Sequence, residues 1–194
     1  MDLYRLGVKF FAGDGPAVAL PEFLPVFHRW IQQGVLDELL LDVADYSHVH
    51  AGPGVLLIAH AGNYSVDETG DRRGMAYYGK HPQPGDVPAR LRAICAKTLR
   101  ACRLLEQEPA LAGRMKFNGA EFQIFANDRL NAPNTDATTA ALRPAIDGLL
   151  AKLYPGQTCN VKRVQDPKER FTVNVKAPVD VTVGELLKRL EGRI

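Results

Sequence analysis

The residues with the clearest capacity for chemistry lie between Leu39 and Asp67, in the run LLLDVADYSHVHAGPGVLLIAHAGNYSVD. Apolar and β-branched residues flank Gly52-Pro53-Gly54, the pattern of two antiparallel strands joined by a turn. With the turn centred on Gly52-Pro53, Asp45 is expected to face His60 across the hairpin. A carboxylate there would hold the imidazole in one tautomer and prepare it as a general base. Because strand side chains alternate, the same register puts Asp42, Tyr46, His48 and His50 on one face. Val43, Asp45, Ser47, Val49, Leu56, Ile58 and His60 then share the other, which is the more apolar and is expected to face the core. Ser47 falls near the dyad, but no GxSxG or Cys-His pattern supplies an activated nucleophile.

Two further groupings have chemical potential. His48 and His50 project from one strand face, and Asp42 or His81 would be needed to extend them toward a metal shell; a third ligand is not defined, so no metal is expected. The loop Asn127-Asp128-Arg129, with Asn131 and Asn134, runs into the amino end of a helix. Backbone N–H groups at that end and the Arg129 guanidinium would suit a carboxylate or phosphate. Asn127, Asp128, Arg129 and Asn134 are the expected ligand anchors.

The elements that must position these residues follow from periodicity. Leu6 to Ala12 reads as a strand that ends in the loop Gly13-Asp14-Gly15-Pro16. Pro21 to Gln33 has apolar residues at helical spacing and stops at Gly34. After the hairpin, ETGDRRG is a polar turn, MAYYG is a third strand, and KHPQPGDVP is a loop. Pro88 to Glu108 is the longest helix; it turns Arg90, Arg92, Lys97, Arg100 and Arg103 outward and lacks the aromatics that would stack bases. Asn118-Gly119 suggests a second hairpin between Met115–Phe117 and Glu121–Ala126. A helix over 136–153, capped by Asn134 or Thr135, a third hairpin across Asp166-Pro167, and a terminal amphipathic helix in VTVGELLKRLEGRI complete the chain.

Phe11-Ala12-Gly13-Asp14 recurs as Phe125-Ala126-Asn127-Asp128, and the strands at 55–60 and 171–176 recur at nearly the same spacing. This is the signature of a repeated β-α-β-β unit over 6–67 and 121–177, joined by the helix 88–108. The expected fold is a single α+β domain over 1–194, a mostly antiparallel or mixed sheet with helices on one face, and a ligand crevice at the seam of the repeats.

At 194 residues, with 46% apolar and 24% charged residues, the chain is sized for one core. A net charge of +2, from 24 basic and 22 acidic residues, gives no overall field for nucleic acid or anionic membrane. The start MDLYRLGVKFFAGDG lacks a secretory pattern, and the 3 cysteines, Cys95, Cys102 and Cys159, show no CxxC spacing. A cytoplasmic location is expected. The sequence defines no cofactor. The functional expectation is a binding or accessory protein that takes a small polar or anionic ligand or a protein partner at the seam, with homo-oligomer formation as a further expectation. The alternative is an enzyme that uses Asp45 and His60 as its base and Arg129 to orient an anionic substrate.

Overall fold

A computed structural model describes residues 3, 5–15, 18–81 and 83–192. Residues Met1, Asp2 and Tyr4 of the amino-terminal stretch, Pro16 of the first loop, Pro82, and the end of the final expected helix at Arg193 and Ile194 lie outside them. Alternation and β-branching produce eight strands among the described residues: β1 (Leu6–Ala12), β2 (Leu40–Tyr46), β3 (Gly54–Ala59), β4 (Gly62–Asp67), β5 (Gly74–Gly79), β6 (Phe117–Ala126), β7 (Asn160–Arg163) and β8 (Thr172–Lys176). They form one antiparallel sheet in the order β2-β3-β4-β5-β1-β6-β8-β7.

The helical periodicities become α1 (Phe23–Gln33), α2 (Val87–Gln107), α3 (Asp136–Leu153) and α4 (Val183–Glu191). Their ends follow local chemistry. Gly34 takes a left-handed φ of 58° and closes α1. The Asp86 carboxylate accepts the Ala89 N–H at 2.8 Å to open α2. Thr135, rather than Asn134, caps α3. Thr182 and Glu185 form a reciprocal capping box for α4. No described helix is long and apolar enough to cross a membrane.

The helices lie against one face of the sheet, which confirms the α+β layering. Leu6, Val8 and Phe10 of β1 point into that core, and Phe10 stacks on Phe122 of β6 with ring centroids 4.9 Å apart. Packed α4 fills the core with Val183, Leu186 and Leu187. Two cationic side chains of α2 are tied down: Lys97 Nζ donates to Glu38 at 3.0 Å, and Arg100 reaches both Asp37 and Glu191 at 2.7 Å.

Three expectations are corrected. First, the β2–β3 connection is the long loop 47–53, because Tyr46 pairs with Gly54 and Asp45 with Val55. This register reverses the faces assigned to β3: Val55, Leu57 and Ala59 enter the core, whereas Leu56 and Ile58 lie on the opposite face. Second, Asn118-Gly119 is not a hairpin turn. It lies within β6 as a bulge, since Phe10 pairs with Phe122 but Ala12 with Phe117. A Cβ on Gly119 would stand 1.9 Å from the Val181 carbonyl oxygen, so glycine here serves close backbone approach.

Third, a duplication with the boundaries 6–67 and 121–177 is not confirmed. β8 neighbours β6, but the strand matched to it in sequence, β3, is separated from β1 by β4 and β5. The loops that follow β1 and β6 do not meet either. These strands are antiparallel neighbours, with Leu6 beside Ala126 and Ala12 beside Phe117, so the two loops leave opposite ends of the sheet.

Candidate functional site

The expected catalytic pair is not assembled. Asp45 sits on an edge strand, where its Oδ1 accepts the Ser47 N–H at 2.8 Å and closes the start of the loop. The Ser47 hydroxyl, and then its N–H, hold that carboxyl below the usual aspartate value. His60 occupies the β3–β4 turn, where its N–H donates to the Leu39 carbonyl at 2.8 Å. Asp45 opposes Val55, and His60 lies five residues further along β3, so the two are separated by roughly 17 Å of strand.

His28 lies in α1, and the other four histidines divide between the two ends of β3. His60 faces His81, with ring centroids 5.9 Å apart. His48 lies beside Tyr46, and His50 Nε2 is 3.8 Å from Asp71 Oδ1. No group of three metal-ligating side chains occurs among the described residues.

The expected anchors around 127–134 are largely committed to the fold. Asp128 accepts the backbone N–H and side-chain amide of Asn131, which also hold its carboxyl below the usual range. Asn134 donates to the carbonyls of Val164 and Asp166, tying α3 to the β7–β8 connection. Asn127 accepts a 2.8 Å hydrogen bond from Arg170. Arg129 is exposed.

A different cluster is assembled at the other end of the seam, where β1 leaves the sheet beside the start of β6. A recess of about 380 Å³ is lined there by Phe11 to Gly15, Val18, Arg72, Arg73 and Arg114 to Lys116. Four cationic residues, Arg72, Arg73, Arg114 and Lys116, and one acidic residue, Asp14, are among its lining. Each arginine is oriented by a glutamate outside the lining. Arg72 donates to Glu121 at 2.8 Å and stacks 3.6 Å over the Phe11 ring. Arg73 makes two bonds to Glu68 Oε1, at 2.8 and 2.5 Å, and one to the Val18 carbonyl. Arg114 grips Glu22 through both oxygens, at 3.2 and 2.5 Å. That Arg114 contact, reinforced by the Ala19 N–H, brings the Glu22 carboxyl down to about 2. A guanidinium has five N–H donors, so a carboxylate partner fixes its plane and still leaves donors for an anion.

The turn that carries Arg72 and Arg73 is secured from beneath. Lys9, in the middle of an otherwise apolar strand, points to the face of the sheet away from the helices, yet is 1% exposed. Its amine donates to Asp67 Oδ1 at 2.5 Å and to the Thr69 carbonyl at 3.2 Å. Asp67 in turn accepts the Thr69 N–H at 3.1 Å and its hydroxyl at 2.9 Å. Gly74 makes the crossing possible: a Cβ there would lie 2.9 Å from Lys9 Cε, so the lysine stem passes over β5 only because β5 has no side chain at that point. Burial pushes the Lys9 amine below its ordinary value, while Asp67 opposes that shift. Sealed from solvent and bonded on two sides, Lys9 is a positioning residue. It holds the 68–73 turn against the sheet, and the turn presents two arginines to the recess.

Sequence reasoning did not single out Lys9, Asp67, Arg72, Arg73, Arg114 or Lys116 as functional. The available signal was a lysine inside the apolar run LGVKFFA together with the doubled arginine of ETGDRRG. A charge at the centre of a buried strand requires a partner, which here is Asp67 at the end of β4, just before that turn.

The class defined by these features is an antiparallel α+β protein with a cationic recess at the end of its central strand. Compared with known proteins, the chain matches no family model, no curated protein and no solved structure.

Proposed function

We propose that this chain is a binding protein for a small anionic ligand, held in the recess at the β1–β6 seam. The observation that carries the reading is the lining itself: Arg72, Arg73, Arg114 and Lys116 line one concavity, and glutamates outside it set the planes of the three arginines. Preorganised guanidinium groups lose little freedom on binding and match the geometry of carboxylate or phosphate oxygens. The volume is at the small end of the range for organic ligand sites, about 300–1,000 Å³, and exceeds the space needed for an inorganic anion alone. Asp14, exposed in the lining, supplies an acceptor for a ligand hydroxyl or ammonium group. The ligand class is therefore a small organic acid or phosphate ester that also carries a hydrogen-bond donor.

The test is calorimetric titration and thermal shift with a panel of hydroxy acids, amino acids and sugar phosphates, at low and high salt. Binding is expected for at least one of them, and it should weaken as salt rises. Lys116→Ala, at an exposed position outside the arginine–glutamate pairs, is expected to weaken that binding by about tenfold, the equivalent of ~1.4 kcal/mol, with no change in melting temperature of the free protein. Arg129→Ala is expected to leave it unchanged. Loss of binding on Arg129→Ala with retention on Lys116→Ala would move the site to the opposite end of the sheet and overturn the assignment.

A further inference from the structure

Lys9 has a cationic neighbour on the face of the sheet away from the helices. Arg170, just before β8, is half-buried, and its guanidinium carbon lies over the Phe125 ring, 3.8 Å from the centroid. The ring fits there because β1 has a glycine opposite Phe125: a Cβ on Gly7 would stand 2.3 Å from Phe125 Cζ and 2.9 Å from Tyr78 Cβ. Gly7 also pairs with Tyr78, and Tyr78 with Asn63. Asn63, Tyr78 and Phe125 therefore form one row across β4, β5, β1 and β6 on this face.

Two groups here have hydrogen-bonding capacity that the protein does not use. Among the described residues, the Arg170 side chain makes one hydrogen bond, to Asn127 Oδ1 at 2.8 Å, and no ion pair. Its other nitrogens are not sealed from solvent. The Tyr78 hydroxyl accepts the Asn63 side-chain amide at 3.1 Å, which leaves its own proton to be donated. The charges do not balance either. Asp67 acts on both Lys9 and Arg170, but its carboxylate is bonded to Lys9, and Arg72 is committed to Glu121. Glu169 is exposed and forms no ion pair with Arg170. Burial pushes the Arg170 guanidinium below its ordinary value, and Asp67 opposes that shift. One positive charge is thus held partly out of water with no carboxylate bonded to it, the condition in which an arriving anion gains most.

We propose that Arg170 and the Tyr78 hydroxyl hold the carboxylate of a small organic acid on this face of the sheet. The edge of a guanidinium matches the two oxygens of a carboxylate, and Asn127 and Phe125 fix its plane beforehand. Asn127, an expected ligand anchor, therefore acts by aiming Arg170. A single uncompensated positive charge suits one carboxylate better than a doubly charged phosphate. Neither Arg170 nor Tyr78 lines the cationic recess. Gly7 and Phe11, which mark the two places along β1, are separated by roughly 13 Å of strand. The site stands independently of the ligand proposed for the recess.

The experiment is a nitrogen-15 NMR titration of the arginine Nε–H signals of the full chain, at constant ionic strength, with malonate in one arm and inorganic phosphate in the other. The Arg170 signal is identified by its absence from the spectrum of Arg170→Lys. It is expected to move saturably with malonate and more weakly with phosphate, and Lys116→Ala should leave that movement unchanged. Tyr78→Phe is expected to weaken malonate binding at Arg170 by about tenfold, the loss of one hydrogen bond to a charged group. Arg170→Lys keeps the charge but loses the planar fork, and calorimetry with malonate should show one site fewer than in the wild type. Should Arg170→Lys not fold, the signal that Tyr78→Phe alters carries the test. An Arg170 signal that stays fixed while other arginine signals move, a shift that never saturates, tighter binding of phosphate than of malonate, or full malonate affinity in Tyr78→Phe would each overturn the proposal.

Discussion

At the scale of single residues, the molecule turns on a lysine placed where the sequence pattern calls for an apolar group. Lys9 is surrounded by buried side chains, and its amine is tied to Asp67 and Thr69. Removing one partner of such a pair leaves the other as an uncompensated buried charge. Lys9→Met is therefore expected to destabilise the fold by about 3–5 kcal/mol, measured by urea denaturation. Replacing both members, Lys9→Met with Asp67→Leu, should recover much of that loss, because the desolvation cost disappears with both charges. The double variant should still bind anions less well than the wild type, since the 68–73 turn has lost its anchor. Recovery of stability without recovery of affinity separates the positioning role from simple packing. The pair was legible only as an anomaly: the sequence places a charge in a buried strand, but the partner is 58 residues away and reachable only across Gly74.

The Glu22–Arg114 contact supplies a second residue-scale prediction, with a sign fixed by the direction of the shift. The folded-state carboxyl titrates near 2, below the ordinary glutamate value of 4.5. Its contribution to stability is thus complete above the unfolded-state value and declines as pH falls through the interval between the two. A Glu22→Gln variant should melt below the wild type at neutral pH, and the gap should close progressively on acidification below about 4.5. Melting curves for both proteins between neutral pH and pH 3 test this directly. A gap that stays constant with pH would show that the arginine is oriented by something other than the ionised carboxylate.

At the scale of elements, most strands and helices are legible because their periodicities are strong, and the misreadings share one cause. Gly52-Pro53-Gly54 and Asn118-Gly119 are both turn-forming dipeptide contexts, but local chemistry does not determine how many residues the surrounding sheet assigns to the connection. In the β2–β3 hairpin the loop begins at Ser47, where Asp45 captures the backbone, so the register shifts and Asp45 moves away from His60. In β6 the expected turn remains a bulge because β6 must pair with β1 on both sides of it, and because the chain preceding α4 lies against Gly119. Gly119→Ala is accordingly a severe change despite its small volume. With the Val181 carbonyl oxygen 1.9 Å from the new Cβ, either β6 or the 177–182 segment must move. A loss of about 2 kcal/mol or more in denaturant titration is expected, in the range for forced overpacking, together with weaker anion binding, because Lys116 and Phe117 adjoin the same bulge.

At the scale of the whole molecule, the layering was legible and the strand order was not. Alternating apolar strands and amphipathic helices specify that the helices cover one face of a sheet. They do not specify that β5, rather than β3, lies beside β1, which is decided by contacts between residues distant in sequence such as Val8 with Tyr77 and Phe10 with Met75. The final helix shows how far the assembly depends on such remote contacts. Its amphipathic pattern allows a surface tail or a contact between copies, but Val183, Leu186 and Leu187 are buried in the common core, and Arg189 donates to the Leu153 carbonyl at 2.8 Å to lock α4 onto the end of α3. Burial of three such side chains contributes on the order of 5–9 kcal/mol at ~1.5–3 kcal/mol each. That is comparable to the entire stability of an ordinary domain, about 5–15 kcal/mol. A chain ending at residue 180 is therefore expected to lose its cooperative unfolding transition and near-ultraviolet circular dichroism while retaining much of its helical signal, the behaviour of a compact state without fixed packing. A truncated protein that still unfolds cooperatively, within about 2 kcal/mol of the full chain, would show that the remaining helices cover the sheet without α4.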